Sequence, residues 1–315
     1  MGKRICVVGA GKWGTNHIKS LHKLNALGGI VDLDKNKLDQ FKAFGNNLVF
    51  CKSLDESFAN NFDGYIVATP TSTHFTIAKQ IIMNGKPLLV EKPLTLSLKE
   101  GKEIEKLLLS ENGKLIVGHL LLFHPAIQKI DEIIKDDQIG NIQYIYSNRL
   151  NQGVVRKDEN VFWSFAPHDI AIFQFLTNSF PDRINSIGGA FIREEIHDTT
   201  MTYLKYPNGI QGHIYVSWLH PFKEHRLVII GTKGSIHFED SLANKPLLLY
   251  KKNMNTSFDK DNIICDRVEY SESEPLMNQL SYFIDIINGK KINRVGIKDA
   301  LEVLEILEKA SQNLL

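Results

Sequence analysis

Lys92 stands between Glu91 and Pro93 in the stretch VEKPLT (residues 90–95), directly after the apolar run Leu88, Leu89 and Val90. An ammonium placed where a buried strand leaves the core can hold a substrate hydroxyl and stabilise alkoxide character as hydride departs. The Lys92-Pro93 bond is of the X-Pro type, the class in which cis peptides occur. A lysine snorkelling at the surface is the plainer alternative.

A second constellation lies near the start. Gly9, Ala10, Gly11, Lys12, Trp13 and Gly14 form a G-x-G-x-x-G pattern that follows one apolar run and opens a helical one. Gly9 permits a tight turn, Gly11 lets backbone reach a pyrophosphate, and Gly14 lets helix and strand approach closely. The helix N-terminus then faces the phosphates. Asp32 follows about 20 residues after the glycines, where an acid accepts from the ribose hydroxyls of NAD and repels the 2′-phosphate of NADP. Thr69, Pro70, Thr71 and His74, in ATPTSTH, end another strand-like run and are placed to line the same cofactor, as is Glu91. For these hydroxyl residues the alternative is helix capping, by Ser72 or Thr73.

The elements that must carry these residues alternate. RICVVGA, LGGIV, NLVF, GYIVAT, LLV and KLIVG read as short buried strands, separated by segments with Ile18, Leu21 and Leu24, then Leu38, Phe41 and Phe44, then Ile77, Ile81 and Ile82 at helical spacing. A further helix is expected from about Ser97 to Ser110. Such alternation means a parallel sheet with right-handed crossovers, whose ligands bind outside the carboxyl ends of the strands. Beyond residue 120 a helix through PAIQKIDEIIK leads into long period-2 stretches: NIQYIYSNRLN, DTTMTYLKY, GIQGHIYVSW and HRLVIIGTKGSIHFED. YPNG and TKGS mark turns between them, a helix is expected near HDIAIFQFLTN, and two helices close the chain, near Pro275 to Asn288 and Lys298 to Leu314. KKNMNTSFDKDN (residues 251–262) reads as a loop. The fold class is therefore α/β in an N-terminal Rossmann domain, residues 1–120. Residues 121–315 form an α+β domain with a large, mostly antiparallel open sheet for substrate binding and oligomerisation, its last helix packing back on the first domain.

Composition bounds the partners. With 315 residues, 43% hydrophobic content and a net charge of +1, the chain suits two ordinary cores and no strong field for nucleic acid or an anionic membrane. No apolar run approaches the roughly 20 residues that cross a bilayer. The start has no signal-peptide shape, and the three scattered cysteines, Cys6, Cys51 and Cys265, suit a reducing cytoplasm rather than a disulfide framework or zinc site. No metal is expected: His220, Glu224 and His225 do not make a persuasive triad, and hydride chemistry with a lysine needs none.

Together GAGKWG, ATPTSTH, EKPLT, VGHLLLFHPA and FAPHDIAIF resemble the glucose–fructose oxidoreductase/inositol dehydrogenase (Gfo/Idh/MocA) family of NAD(P)-dependent sugar dehydrogenases over nearly the whole chain. The resemblance implies an open antiparallel sheet packed on the dinucleotide-binding domain, an active site between them, Lys92 as a catalytic residue and His168 as the proton acceptor. Histidine titrates near neutrality and suits that role. Where many relatives carry an acid four residues before this histidine, Ser164 stands here, which puts the simple acid–histidine pair in doubt.

The stretches around residues 11–34, 144–170 and 216–234 are similar to the branch that oxidises UDP-N-acetylglucosamine and related UDP-sugars at C3. That similarity implies a 3-keto product and a partner aminotransferase that makes a 3-amino sugar for lipid A or surface polysaccharide. Arg149, Asn151, Arg156 and Lys157 would meet the diphosphate, since arginine offers paired donors to phosphate. Trp163 would stack on base or sugar, and His220, Lys223 and Arg226 would form another polar wall. Core packing for Trp163 and solvation for the charges are the alternatives. A free-sugar or inositol dehydrogenase is the alternative activity, and an NAD-sensing regulator without catalysis a third. A homodimer or homotetramer is implied by resemblance only.

Overall fold

The apolar runs of the first third become strands buried on both faces. In a computed structural model, which describes residues 2–45, 47–153, 155–156, 159–252, 263–312 and 314, the chain begins β1 (Ile5–Val8), α1 (Lys12–Lys23), β2 (Leu27–Val31), α2 (Lys35–Asp39), β3 (Val49–Cys51), α3 (Leu54–Phe58) and β4 (Gly64–Val67). It continues through α4 (His74–Met83), β5 (Leu88–Val90), α5 (Leu98–Ser110) and β6 (Leu115–Val117). All six strands are parallel, in the order β3-β2-β1-β4-β5-β6. Every residue of β1, β4, β5 and β6 is buried, as expected where helices cover both faces of a parallel sheet. The strand order reverses between β1 and β4, the switch point at whose carboxyl ends open α/β sheets bind their ligands.

Two local expectations shift. Leu38, Phe41 and Phe44 suggest one helix, but α2 stops at Asp39 and Lys42–Phe44 form a separate 3-10 turn. The 3-10 turn still brings Phe44 edge-on to Phe41, with ring centroids 5.5 Å apart. Thr73 occupies the N-cap position of α4 without capping it. Its hydroxyl instead donates to Thr69 Oγ1 and lies within reach of the Pro70 carbonyl, both at 2.7 Å.

The second part comprises α6 (Pro125–Lys135), β7 (Ile142–Gln152), α7 (Val161–Thr177), β8 (Arg183–Gly189), β9 (Thr199–Lys205), β10 (Gln211–Ser217), β11 (Leu219–Gly231), β12 (Gly234–Glu239), β13 (Leu247–Lys252) and β14 (Ile263–Arg267). Its sheet runs β14-β13-β12-β11-β7-β10-β9-β8; only β7 and β10 pair in parallel. α7 lies on one face, and Gly212 makes the approach possible: a Cβ there would sit 3.2 Å from the Phe173 ring and 2.3 Å from the Ile145 carbonyl. The opposite face presents Tyr146, His213 and Tyr203 in register, with the Tyr146 and His213 rings stacked at 5.1 Å. YPNG and TKGS turn the chain between β9 and β10 and between β11 and β12. The loop expected over 251–262 lies largely outside the described residues; Lys251 belongs to β13.

Helices α8 (Pro275–Ile287) and α9 (Ile297–Gln312) close the chain. Contacts divide it into two units, Met1–Leu120 with Glu274–Leu304, and Leu121–Ser273 with Glu305–Leu315. The segment 121–315 is thus interrupted by a stretch that returns to the first unit. There α8 packs on α1, Lys114 Nζ donates to the Ile286 carbonyl at 3.2 Å, and Val117 N donates to the Val295 carbonyl at 2.8 Å.

Candidate active site

Each glycine of the first turn meets a different constraint. Gly9 has φ +97°, and a Cβ there would lie 2.8 Å from the Ala68 carbonyl and 2.9 Å from Thr69 Cγ2. A Cβ on Gly14 would fall 1.8 Å from the Gly9 carbonyl, so helix and turn touch through bare backbone. At Gly11 the added Cβ would meet nothing within 4 Å among the described residues. Protein packing does not require glycine at that position; open space before a helix N-terminus does suit a diphosphate drawn close to the backbone. Gly11 is the N-cap of α1 and no side chain caps it. Lys12 and Trp13 form the helix's first turn, with Trp13 44% exposed.

Asp32 follows β2 and is fixed before any ligand arrives. Its Oδ2 accepts from Ala10 N at 2.7 Å, its Oδ1 accepts from Asp34 N at 2.9 Å, and Lys37 Nζ stands 3.6 Å from Oδ2. Asp34 caps α2 by accepting from Asn36 N. The acid is thereby tied to the glycine turn itself, with acceptor capacity left on both oxygens. Bare glycines, an open helix terminus and a preset carboxylate fit a dinucleotide.

His74 differs from its expected part. It is 1% exposed, and its Nδ1 and Nε2 lie 3.0 Å from the carbonyls of Pro93 and Thr69. Burial pushes its pKa down, with the two carbonyls and the Glu91 charge opposing. A neutral ring has one N–H, so one contact is a donated bond and the other a close approach. The ring joins the Thr69-Pro70-Thr71 loop to the Lys92-Pro93 loop and aims neither nitrogen at a cofactor.

The Lys92-Pro93 bond is cis and Lys92 is half-buried. Glu91 beside it accepts a 2.6 Å contact from His17 Nε2 and, through its other oxygen, a 3.2 Å hydrogen bond from Lys92 N. Burial raises the Glu91 carboxyl, but the His17 hydrogen bond and charge, followed by Lys92, more than offset this and hold it below the usual range. His119, just beyond β6, is 2% exposed, and among the described residues neither ring nitrogen has a hydrogen-bond partner. Burial first, then the Lys92 charge, push its pKa down to about 4.

In the second unit, α7 begins at Val161 because Asn160 Oδ1 accepts from Trp163 N at 3.0 Å. His168 therefore lies two turns inside the helix, directly after Pro167, rather than at its start. It is half-buried, and Ser164 is buried one turn earlier.

Arg149 does not stand open to a diphosphate. Its Nε and Nη2 donate to Asp169 at 2.8 and 3.1 Å, and Nη1 lies 3.4 Å from His225 Nδ1. Burial pushes the His225 pKa down to about 4, aided by the Arg149 and Lys223 charges. His124, Arg149, Asp169, His225, Phe238 and Asp240 border a small cavity of about 20 Å³. Asn151 is half-buried near the end of β7; Arg156 is exposed and pairs with Glu159 at 2.6 Å; Lys157 lies outside the described residues. Trp163 gives its indole N–H to Ser311 Oγ at 2.9 Å, and the Tyr215 hydroxyl meets His220 Nε2 at 3.2 Å. Lys223 is exposed, whereas Arg226 is held between Glu224 and Glu239 at 3.5 and 3.3 Å.

Three residues with buried, engaged or orphaned polar groups lie outside the site residues named from the sequence: His17, His119 and Asp169. Two had a signal. His17 shares the inward stripe of Gly14, Ile18 and Leu21 on α1, and Asp169 interrupts an apolar helical run; a polar group on such a face demands a partner.

Comparison with known proteins matches two stretches of the chain to one family. Residues 3–119 match the sequence model of the GFO_IDH_MocA oxidoreductase family, NAD-binding Rossmann fold, and residues 127–237 match the GFO/IDH/MocA C-terminal domain. The UDP-N-acetylglucosamine 3-dehydrogenase of Acidithiobacillus ferrooxidans is 24% identical over 90% of this chain and 88% of its own length. Its crystal structure superposes with TM-score 0.88 at 21% identity, covering 100% of this chain and 98% of that one. The scyllo-inositol 2-dehydrogenase (NAD(+)) of Bacillus subtilis is 29% identical over 78% of this chain and 73% of its own length. The WlbA dehydrogenase from Bordetella pertussis, in complex with NADH and UDP-GlcNAcA, shares the fold at TM-score 0.81 and 20% identity, covering 99% and 96% of the two chains.

Proposed function

The chain belongs to the Gfo/Idh/MocA oxidoreductase family, and on that premise we propose that it oxidises the C3 hydroxyl of a UDP-N-acetylglucosamine-type nucleotide sugar to the 3-keto sugar. It is a dehydrogenase whose first unit is an NAD-binding Rossmann domain. NAD supplies the hydride acceptor when bound. Gly9, Gly11 and Gly14 with the N-terminus of α1 hold its diphosphate, and Asp32 holds the adenosine ribose and disfavours a 2′-phosphate.

The chain's own groups do the rest. Lys92 hydrogen-bonds the hydroxyl being oxidised and favours its alkoxide character. His168 accepts the hydroxyl proton. With Arg149 engaged by Asp169, the diphosphate contact in this reading falls to Arg156, on the segment after β7. The observation that carries the reaction class is the half-buried Lys92 beside Glu91 at the carboxyl edge of β5. Support for a nucleotide sugar is the similarity to the A. ferrooxidans enzyme along 90% of the chain. The B. subtilis relative and the engaged Arg149 favour the second reading, a free inositol or sugar as substrate.

The reading extends to a setting. A 3-keto sugar is a substrate for an aminotransferase, and a 3-amino sugar for lipid A or surface polysaccharide would follow. It includes a cytoplasmic location, in keeping with three free cysteines and with no helix of the described residues long and apolar enough to cross a membrane. It also includes a homodimer or homotetramer built through the sheet face that α7 leaves uncovered.

The test mixes purified protein and NAD with UDP-N-acetylglucosamine, its uronate, free inositol or glucose, each in turn, and follows reduced nicotinamide by absorbance. An aminotransferase with glutamate draws off an unfavourable keto product. Reduction with a UDP-sugar alone supports the proposal; reduction with a free polyol transfers the protein to the second reading.

A further inference from the structure

α1 is an amphipathic helix laid on a parallel sheet, and its inward face should be apolar. His17 breaks that rule. It lies on the same stripe as Ile18 and Leu21 and is 0% exposed. Its Nε2 is 2.6 Å from Glu91 Oε1, across 74 residues of sequence. The carboxylate's second oxygen takes the backbone N–H of Lys92 at 3.2 Å. Room for the carboxylate comes from Gly118, where a Cβ would lie 2.8 Å from Glu91 Oε2.

Stability does not explain this pair. Burying an imidazole and a carboxylate costs several kcal/mol in desolvation, and an apolar pair of similar volume is often as stable or more so. What the pair does is geometric. α1 begins at the open glycine turn, and Glu91 directly precedes the lysine. We propose that His17 is a positioning residue for the dehydrogenase reaction: through Glu91 it locks the Lys92 segment to the helix whose N-terminus receives the cofactor diphosphate. The inference rests on the reading of Lys92 as catalytic.

Glu91 is faced by His17 from α1, by Lys92 on its own segment, by His74 from α4, and by His119 from the turn after β6. Removing its negative charge weakens the ammonium form of Lys92, so the alkaline limb of the kcat profile moves to lower pH.

The variants are His17→Leu, His17→Gln, Glu91→Gln and Lys92→Ala, with the substrate that reduces NAD in the assay above. Expected for both His17→Leu and Glu91→Gln are a kcat reduced roughly ten- to a hundredfold and little change in KM; Glu91→Gln, which alone loses the charge, also moves the alkaline limb to lower pH. His17→Gln, which keeps an N–H donor, recovers most of the rate. Histidine ¹⁵N NMR of the protein without cofactor should show a His17 Nε2 signal that moves in Glu91→Gln. Wild-type kcat in folded His17→Leu and Glu91→Gln, with the alkaline limb of Glu91→Gln unmoved, would overturn the inference and leave a merely structural pair. If His17→Leu does not fold, the near-isosteric Glu91→Gln decides alone. Lys92→Ala separates the two claims: retained turnover there sinks the catalytic reading and this inference together. Lost turnover there, with unchanged His17→Leu and Glu91→Gln, sinks this inference only.

Discussion

Arg149 holds Asp169 in a two-pronged grip, Nε to Oδ2 at 2.8 Å and Nη2 to Oδ1 at 3.1 Å, and so ties β7 to α7 one residue beyond His168. Both side chains are nearly removed from water. Burial alone would lower the guanidinium's pKa, but the Asp169 charge and hydrogen bonds reverse this and raise it. Breaking such a pair strands one buried charge. Arg149→Ala and Asp169→Ala are each expected to cost about 3–5 kcal/mol, and the double variant Arg149→Ala/Asp169→Ala distinctly less than the sum. Urea unfolding with a double-mutant cycle checks this; additive losses would show that the two residues act independently.

The glycine turn predicts two failures of different kind. Gly14→Ala places a Cβ 1.8 Å from the Gly9 carbonyl, so the turn itself must move, and both thermal stability and NAD binding should fall. Gly11→Ala meets open space in the protein, so its melting temperature should stay near wild type while NAD affinity drops at least about tenfold, the methyl occupying the approach of the diphosphate. Differential scanning fluorimetry and calorimetric NAD titration separate the two.

Asp32 stands 3.6 Å from Lys37. Asp32→Ala removes the acceptor for ribose hydroxyls and leaves that ammonium without its acid. NAD should weaken by roughly 1–3 kcal/mol, and NADP should gain relative to it. Unchanged titrations with both cofactors would refute the assignment.

Lys92→Ala and His168→Ala should each lower turnover about a hundredfold or more with NAD binding largely retained. Solvent-exchange and pre-steady-state absorbance at reduced nicotinamide locate the loss in the chemical step. Turnover near wild type in either variant would remove its assigned role.

Acid stability follows from the buried histidines. His119 and His225 are both pushed from 6.5 down to about 4, chiefly by burial. Between those values the unfolded chain binds protons that the folded chain refuses. Stability is therefore full above about pH 6.5 and declines as pH falls towards 4. His74, His124, His213 and His237 are displaced the same way, burial being the first cause in each. Urea midpoints measured from pH 7.5 to 4 should fall through that window, and less steeply in His119→Leu. A flat profile would show that these rings are protonated in the folded protein.

What the sequence made legible was what local geometry dictates. Gly14 is constrained by the Gly9 carbonyl five residues away and Gly9 by its own positive φ, Asp32 by its distance along one βαβ unit, and the buried strands by unbroken apolar runs. What it concealed were partners chosen across elements. Nothing in residues 144–157 tells that Arg149 points at α7 while Arg156 faces water; that depends on the face β7 turns to the helix. His74 opens α4 directly after the Thr69–Thr73 stretch, yet its ring turns inward to two carbonyls. Trp163 kept its aromatic face in view, but its N–H belongs to Ser311, 148 residues away.

The first unit draws on two stretches far apart in the chain, Met1–Leu120 and Glu274–Leu304. Phe283 and Ile287 press on Gly64, where an added Cβ would lie 3.2 and 2.7 Å from them, and Val117 N waits for the Val295 carbonyl. A ribosome delivers those residues only after Leu121–Ser273 has emerged. The nascent N-terminal sheet must therefore persist with α1 uncovered along one side while more than half the polypeptide is still being made. Closing a loop of that length is entropically slow. During synthesis it is this half-finished sheet, though first off the ribosome, that chaperones would have reason to shield, and the order of translation is the reverse of the order of completion.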